Sequence, residues 1–302
     1  MSTTLARDLR FLDPGVIARL GTMELKARTV VEGFLSGLHR SPYKGFSVEF
    51  AEYRQYLPGD DLNTLDWKVY ARTDRHYVKK FEEETNLECH LLLDQSASMA
   101  YKGSAPMTKL EYGSVLAASL AFLMNRQRDA TGLIAFDEQI RFRLPAASRP
   151  GHVHAILLAL ERLQPGLRSN VGRPLHQLAE ALLKRSLVVL ISDLLDDPEP
   201  VIKGLRHLKF RGTDVVVFQL LDPNELTFPF KGSSRFRDLE SSEEIVTEPT
   251  KIRTGYLREL AGLTLHYDRA LRGAGIDYVQ LDTSQPLDFA LLAYLDARSR
   301  RK

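Results

Sequence analysis

Asp94, Ser96 and Ser98 stand at alternate positions of Asp94-Gln95-Ser96-Ala97-Ser98, directly after the apolar run Leu91-Leu92-Leu93. A carboxylate and two hydroxyls form an oxygen-only donor set, which suits a hard divalent cation, Mg²⁺, Ca²⁺ or Mn²⁺, better than zinc or copper. In an extended loop, residues i, i+2 and i+4 face one side, so this spacing predicts three oxygens converging just beyond a strand end. A second strand-like run, Leu187-Val188-Val189-Leu190-Ile191-Ser192, ends in Asp193. If the two strands are neighbours, both carboxylates open on one crevice, because ligands in an open parallel sheet gather at the carboxyl ends of the strands. The loop Arg168-Ser169-Asn170-Val171-Gly172 offers Ser169 as a further hydroxyl.

The same residue types also serve local structure. Asp and Ser cap helices and build turns, so Asp193 also reads as a strand-end turn residue and Ser169 as a helix cap. Asp137 ends a strand, but Phe136-Asp137-Glu138 reads as a hairpin turn. His152 and His154 lack the i, i+4 spacing of a helical zinc pair and read as ordinary packing or surface residues. Trp67 and Arg72 read as architectural, and Glu82-Glu83-Glu84 as a charged strand edge that discourages unwanted pairing.

Five apolar, β-branched runs end in polar residues: Leu87 to Asp94, Thr131 to Asp137, Leu187 to Asp193, Asp214 to Asp222 and Ile276 to Asp282. Such continuous runs predict parallel strands buried on both faces. Helical patterns fall between them, at Lys109 to Arg128, Pro150 to Leu163, Pro174 to Lys184 and Pro198 to Phe210, and a final helix is expected after Thr283 or Ser284 with Pro286 in its first turn. Alternating strands and helices predict an α/β fold with a doubly wound, mostly parallel sheet. Gln139 to Leu144 alternates like an antiparallel edge strand. The N-terminal part reads differently: one helical stretch from Pro14 to His39, with Val16, Leu20, Val30, Val31, Phe34 and Leu38 as its apolar stripe, then an aromatic and charged β extension over Phe46 to Phe81. The expected division is residues 1–84 for this extension and 85–302 for the sheet domain, with an irregular insertion near 223–250.

The 302 residues are 44% hydrophobic and 26% charged, with a formal net charge of +2. That composition is globular, and nothing global in it points to nucleic acid. No apolar stretch is long enough to cross a bilayer and no secretory segment opens the chain, so no membrane span is expected. The lone Cys89, read as a buried thiol, fits a reducing cytoplasm. No Walker loop, dinucleotide fingerprint or Gly-x-Ser-x-Gly elbow is present.

Asp94-x-Ser96-x-Ser98, a hydroxyl before a helix and a later strand-end aspartate resemble the metal-ion-dependent adhesion site of von Willebrand factor A domains. The resemblance implies that Ser96, Ser98 and Ser169 contact a cation, Mg²⁺, Ca²⁺ or Mn²⁺, while Asp94 and Asp193 act partly through water. The loop residue is usually threonine; serine keeps the oxygen but loses the methyl that restricts its rotamer. Glu52-Tyr53-Arg54-x-Tyr56-x-Pro58-Gly59-Asp60-Asp61, then Asp66-Trp67 and Ala71-Arg72, is similar to the signature of a bacterial domain-of-unknown-function family, number fifty-eight. That resemblance implies a chaperone-like or adaptor role beside a MoxR-type AAA+ ATPase. The expected function is therefore a non-enzymatic, metal-dependent protein-interaction module, with the ATPase or its client supplying an Asp or Glu. A metal-dependent phosphohydrolase is the alternative, and it is disfavoured because Ser96 stands where a haloacid-dehalogenase-like site needs a second aspartate.

Overall fold

The computed structural model describes residues 13–40, 53–55, 77–79, 88–182, 186–241 and 243–299. Asp13 caps the first helix by accepting the Gly15 N–H at 2.7 Å, with Pro14 in its first turn. The helices in chain order begin with α1 (Pro14–Ala18) and α2 (Met23–Arg40). The expected single helix from Pro14 to His39 thus breaks around Leu20 and Gly21, where glycine is costly in a helix interior. The break turns Val16 outward and buries Ile17, while Val30, Val31 and Phe34 are buried as expected.

Two short strands, β1 (Tyr53–Gln55) and β2 (Tyr77–Lys79), pair antiparallel. Trp67, Arg72 and the Glu82-Glu84 run lie outside the described residues, as does the end of the chain beyond Ser299. The elements then follow as β3 (Glu88–Asp94), α3 (Lys109–Arg126), β4 (Ala130–Phe136), β5 (Ile140–Ala147), α4 (His152–Arg162), α5 (Gly172–Ala181), β6 (Ser186–Ser192), α6 (Pro198–Phe210), β7 (Asp214–Leu221), α7 (Pro223–Thr227), β8 (Ser234–Arg237), β9 (Glu244–Thr247), α8 (Pro249–Arg272), β10 (Asp277–Asp282) and α9 (Asp288–Ser299). Two compact units divide the chain, one of Met1–Arg40 with Leu87–Lys302 and one of Ser41–Asn86. The N-terminal helices therefore group with the large sheet.

The large sheet has strand order β10-β7-β6-β3-β4-β5. All of its neighbouring pairs are parallel except β4 with β5 at one edge. This is the doubly wound, mostly parallel α/β sheet that the alternating runs predict. β3 and β6 are adjacent, with Leu93 opposite Ile191, so their carboxyl ends sit side by side. Strands covered on both faces must be apolar along their whole length. The fully buried β6 meets that demand between its terminal serines, as does β7 after Asp214 apart from Gln219.

The central helix α3 lies on one face. A capping box starts it, Thr108 Oγ1 accepting from the Glu111 N–H and Glu111 reaching back to the Thr108 N–H. Gly113 lets it press onto the sheet: a Cβ there would lie 2.9 Å from Leu93 and 3.2 Å from Ile191. The other face carries α5 and α6 over Leu92, Val188, Leu190, Val215 and Val217. Between residues 223 and 250 the expected irregular insertion holds α7 and the β8–β9 hairpin. The last helix starts at Asp288, later than expected, because Asp282 first makes a turn by accepting both the backbone N–H and the hydroxyl of Ser284.

Candidate metal-binding site

β3 delivers Asp94 to the carboxyl edge of the sheet, fully buried. Asp94 Oδ1 accepts the Ser96 N–H at 2.8 Å, and Oδ2 accepts the hydroxyl of Ser192, from neighbouring β6, at 2.6 Å. The two hydroxyls of the motif meet at 3.1 Å, Ser96 Oγ to Ser98 Oγ. They do so by a route other than the extended alternation read from the sequence. The chain winds into a 3₁₀ turn over Ala97–Ala100 with Ser96 as its N-cap residue, and one tight turn brings the two side chains together.

The loop is pinned from both sides. The Gln95 N–H donates to the Phe136 carbonyl at 2.7 Å, the Gly166 N–H to the Gln95 carbonyl at 2.5 Å, and the Ala97 N–H to the Leu167 carbonyl at 2.8 Å. Gly166 is required for this approach, since a Cβ there would fall 2.5 Å from Asp137 Oδ2. Asp137 is the β4–β5 turn residue expected, and its carboxylate takes Arg141 Nε with both oxygens at 2.8 Å. Ser169 belongs to the same connection as Gly166, and its backbone N–H donates to Glu240 Oε2 at 3.0 Å. The role of capping α5 goes to its neighbours: Asn170 Oδ1 accepts the Arg173 N–H, and Asp196 Oδ2 the Val171 N–H.

Asp193 follows β6 and is 1% exposed. After it the chain turns through Leu194 at φ 54°, a left-handed conformation uncommon for a non-glycine residue. Complete burial of the Leu194 side chain and donation of its N–H to Ser192 Oγ hold that turn. The partner of Asp193 was not foreseen from the sequence. Lys109, the first residue of α3 and itself 1% exposed, donates from Nζ to Asp193 Oδ2 at 2.8 Å and to Glu225 Oε1 at 2.7 Å. Glu225 is oriented by a second capping box, that of α7, in which its other oxygen accepts the Asp222 N–H at 2.8 Å. Behind Asp193, Gln219 of β7 donates to its carbonyl at 3.0 Å and accepts from the Tyr278 hydroxyl of β10. A polar chain thus runs from β10 through β7 to the end of β6, and the Lys109 ammonium continues it to α7.

Burial, with the facing carboxylate of Asp193, pushes the Asp94 carboxyl up to about 7 against the pull of its hydrogen bonds from Ser192 and Ser96. Burial by itself would lower Lys109, but Asp193 and Glu225 outweigh it and hold the ammonium above the usual lysine range. Asp94 therefore lacks a counter-charge of its own. Among the described residues no three His, Cys, Asp or Glu side chains group closely enough to hold a metal by themselves. The donor set is instead the Asp94 carboxylate and the paired hydroxyls, with the Asp193 carboxylate beside them, which fits a hard divalent ion and not a thiolate- or imidazole-loving one. Asp94, Ser96 and Ser98 come together and Asp193 stands on the adjacent strand end. Ser169 is tied to them through its loop backbone.

A mostly parallel sheet with one antiparallel edge strand, covered by helices on both faces and carrying buried aspartates at adjacent strand ends, is a von Willebrand factor A-like architecture. The chain belongs to the DUF58 family of proteins of unknown function, whose family model matches residues 52–262. An uncharacterized protein of Mycobacterium tuberculosis, Rv1480, is 28% identical over 293 residues, covering 95% of this chain and 91% of that one. Among solved structures, an aerotolerance-related membrane protein from Bacteroides fragilis is 22% identical with a TM-score of 0.49, covering 70% of this chain and 99% of its own. BatB from Bacteroides thetaiotaomicron is 19% identical with a TM-score of 0.47 over the same shares of each chain. Among the described residues no helix is long and apolar enough to cross a membrane.

Proposed function

We propose that this chain is a non-enzymatic protein-interaction module whose binding depends on a divalent cation, Mg²⁺, Ca²⁺ or Mn²⁺, held at Asp94, Ser96 and Ser98 with Asp193 and Ser169 around it. The observation that carries this reading is the pair of buried strand-end carboxylates, Asp94 and Asp193, beside two hydroxyls 3.1 Å apart. A divalent ion there offsets the burial and the facing Asp193 charge that together raise Asp94. Neutral hydroxyl ligands leave much of the ion's charge uncompensated, which favours a carboxylate from outside. The partner is accordingly a protein that presents an Asp or Glu, and the family resemblance points to a MoxR-type AAA+ ATPase or its client. The buried Cys89 suits a cytoplasmic setting.

Affinity capture of partners by the purified protein, with and without chelator, tests the reading. Capture is expected to need the cation and to fall about tenfold or more in Asp94→Ala, with the circular dichroism spectrum unchanged. Equal recovery of the same partner in chelator, or from Asp94→Ala, contradicts metal dependence. Turnover of phosphate esters that is lost with Asp94→Asn contradicts the non-enzymatic reading.

A further inference from the structure

Lys109 is an unusual neighbour for a cation site, because it is itself a cation. A lysine at 1% exposure persists only when paired, and this one is paired with carboxylates from two different elements. Its Nζ lies 2.8 Å from Asp193 Oδ2 and 2.7 Å from Glu225 Oε1. It sits at the first position of a helix whose N-terminus is fixed by the Thr108–Glu111 capping box, so the start of its stem has little freedom. Glu225 is held equally firmly by the capping box of α7. Asp193 Oδ2 is thus already engaged by a positive charge that cannot diffuse away, whereas both oxygens of Asp94 accept only from neutral donors, the Ser96 N–H and the Ser192 hydroxyl.

We propose that Lys109 is a tethered cation of the metal site, a positioning residue that clamps Asp193 against Glu225 and keeps it out of the shell of a divalent ion, leaving that ion to Asp94, Ser96 and Ser98. This rests on the metal-dependent reading above and adds a consequence to it. The arrangement weakens the protein's own hold on the ion and preserves a coordination position for an incoming carboxylate. It also keeps Asp193 and its turn in place when no ion is present.

Calorimetric titration of Mn²⁺ into the full chain separates the possibilities. Lys109→Met keeps an unbranched stem and removes the charge; Lys109→Met/Glu225→Gln removes one charge of each sign, so that no second buried carboxylate is stranded if the single variant fails to fold. The double variant is expected to bind Mn²⁺ at least about tenfold more tightly than wild type, and to gain more thermal stability from saturating Mn²⁺. Glu225→Gln alone is expected to bind no more tightly than wild type. Ser96→Ala is expected to weaken binding in both the wild-type and double-variant backgrounds. If the double variant binds Mn²⁺ no more tightly while Ser96→Ala still weakens binding, the metal site stands and Lys109 is a strut only. If Ser96→Ala changes nothing in either background, the metal-site reading itself falls, and the inference with it.

Discussion

His90 and Asp94 stand four residues apart on β3, both buried, and burial acts on them in opposite directions. Desolvation disfavours whichever form is charged, so it raises Asp94 and lowers His90, the latter with Arg143 assisting and Glu88 opposing. For His90 the consequence for stability has a definite sign. A base with a lowered folded-state pKa binds fewer protons folded than unfolded, so its contribution is fully present above the unfolded value of 6.5 and is lost as pH falls below it. Thermal melts are expected to show a decline below about pH 6.5 that is shallower in His90→Gln; an identical slope in the variant contradicts this role. At this scale the sequence was legible in part. The grouping of Asp94, Ser96 and Ser98 was readable because a carboxylate and two hydroxyls alternate within five consecutive residues. Lys109 was not, since a lysine opening a helix normally faces water and nothing local says that the helix start is buried. Two signals were available: the Asp222-Pro223-Asn224-Glu225 capping pattern and Gln219 as a lone amide inside an apolar strand.

The elements that build the site are chiefly turns, and their placement is fixed by backbone contacts. The 3₁₀ turn at Ala97–Ala100 is held through Gly166 and Leu167, residues distant in sequence and brought close by the β4–β5 corner around Asp137. Gly166→Ala adds a Cβ that must push on Asp137 and on the Gln95 carbonyl. It is expected to destabilise the protein by roughly 1–3 kcal/mol and to speed hydrogen exchange at the Ala97 and Gly166 amides; unchanged exchange at both sets this contact aside. The strands were legible because parallel burial demands unbroken apolar runs, which few other structures tolerate. The helix α8 was not. Its 24 residues bury only Pro249, Leu260, Tyr267 and Leu271, too sparse a stripe to stand out against its charged positions. The convergence of Ser96 with Ser98 was right in outcome and wrong in mechanism, because a tight turn and an extended loop can both bring i and i+2 together.

Across the whole sheet, strand order decides what the strand ends can do together. β3 sits between β6 and β4, so Asp94 is flanked by Ser192 and Asp193 on one side and by the turn that carries Asp137 on the other. Adjacency of β3 and β6 was an assumption in the sequence, because parallel strands far apart in the chain leave no local mark of their neighbours. The network from Tyr278 through Gln219, the Asp193 carbonyl and Lys109 to Glu225 spans one side of the crevice and connects it to β10 and α7. The proposed divalent ion resides where β3 and β6 end. Titration of Mn²⁺ into isotope-labelled protein, followed by paramagnetic broadening of backbone amide resonances, locates that ion directly. The first signals expected to vanish are those of Ser96, Ala97, Ser98 and Leu194. Broadening that begins at exposed carboxylates elsewhere, with these amides unaffected, would contradict the assignment.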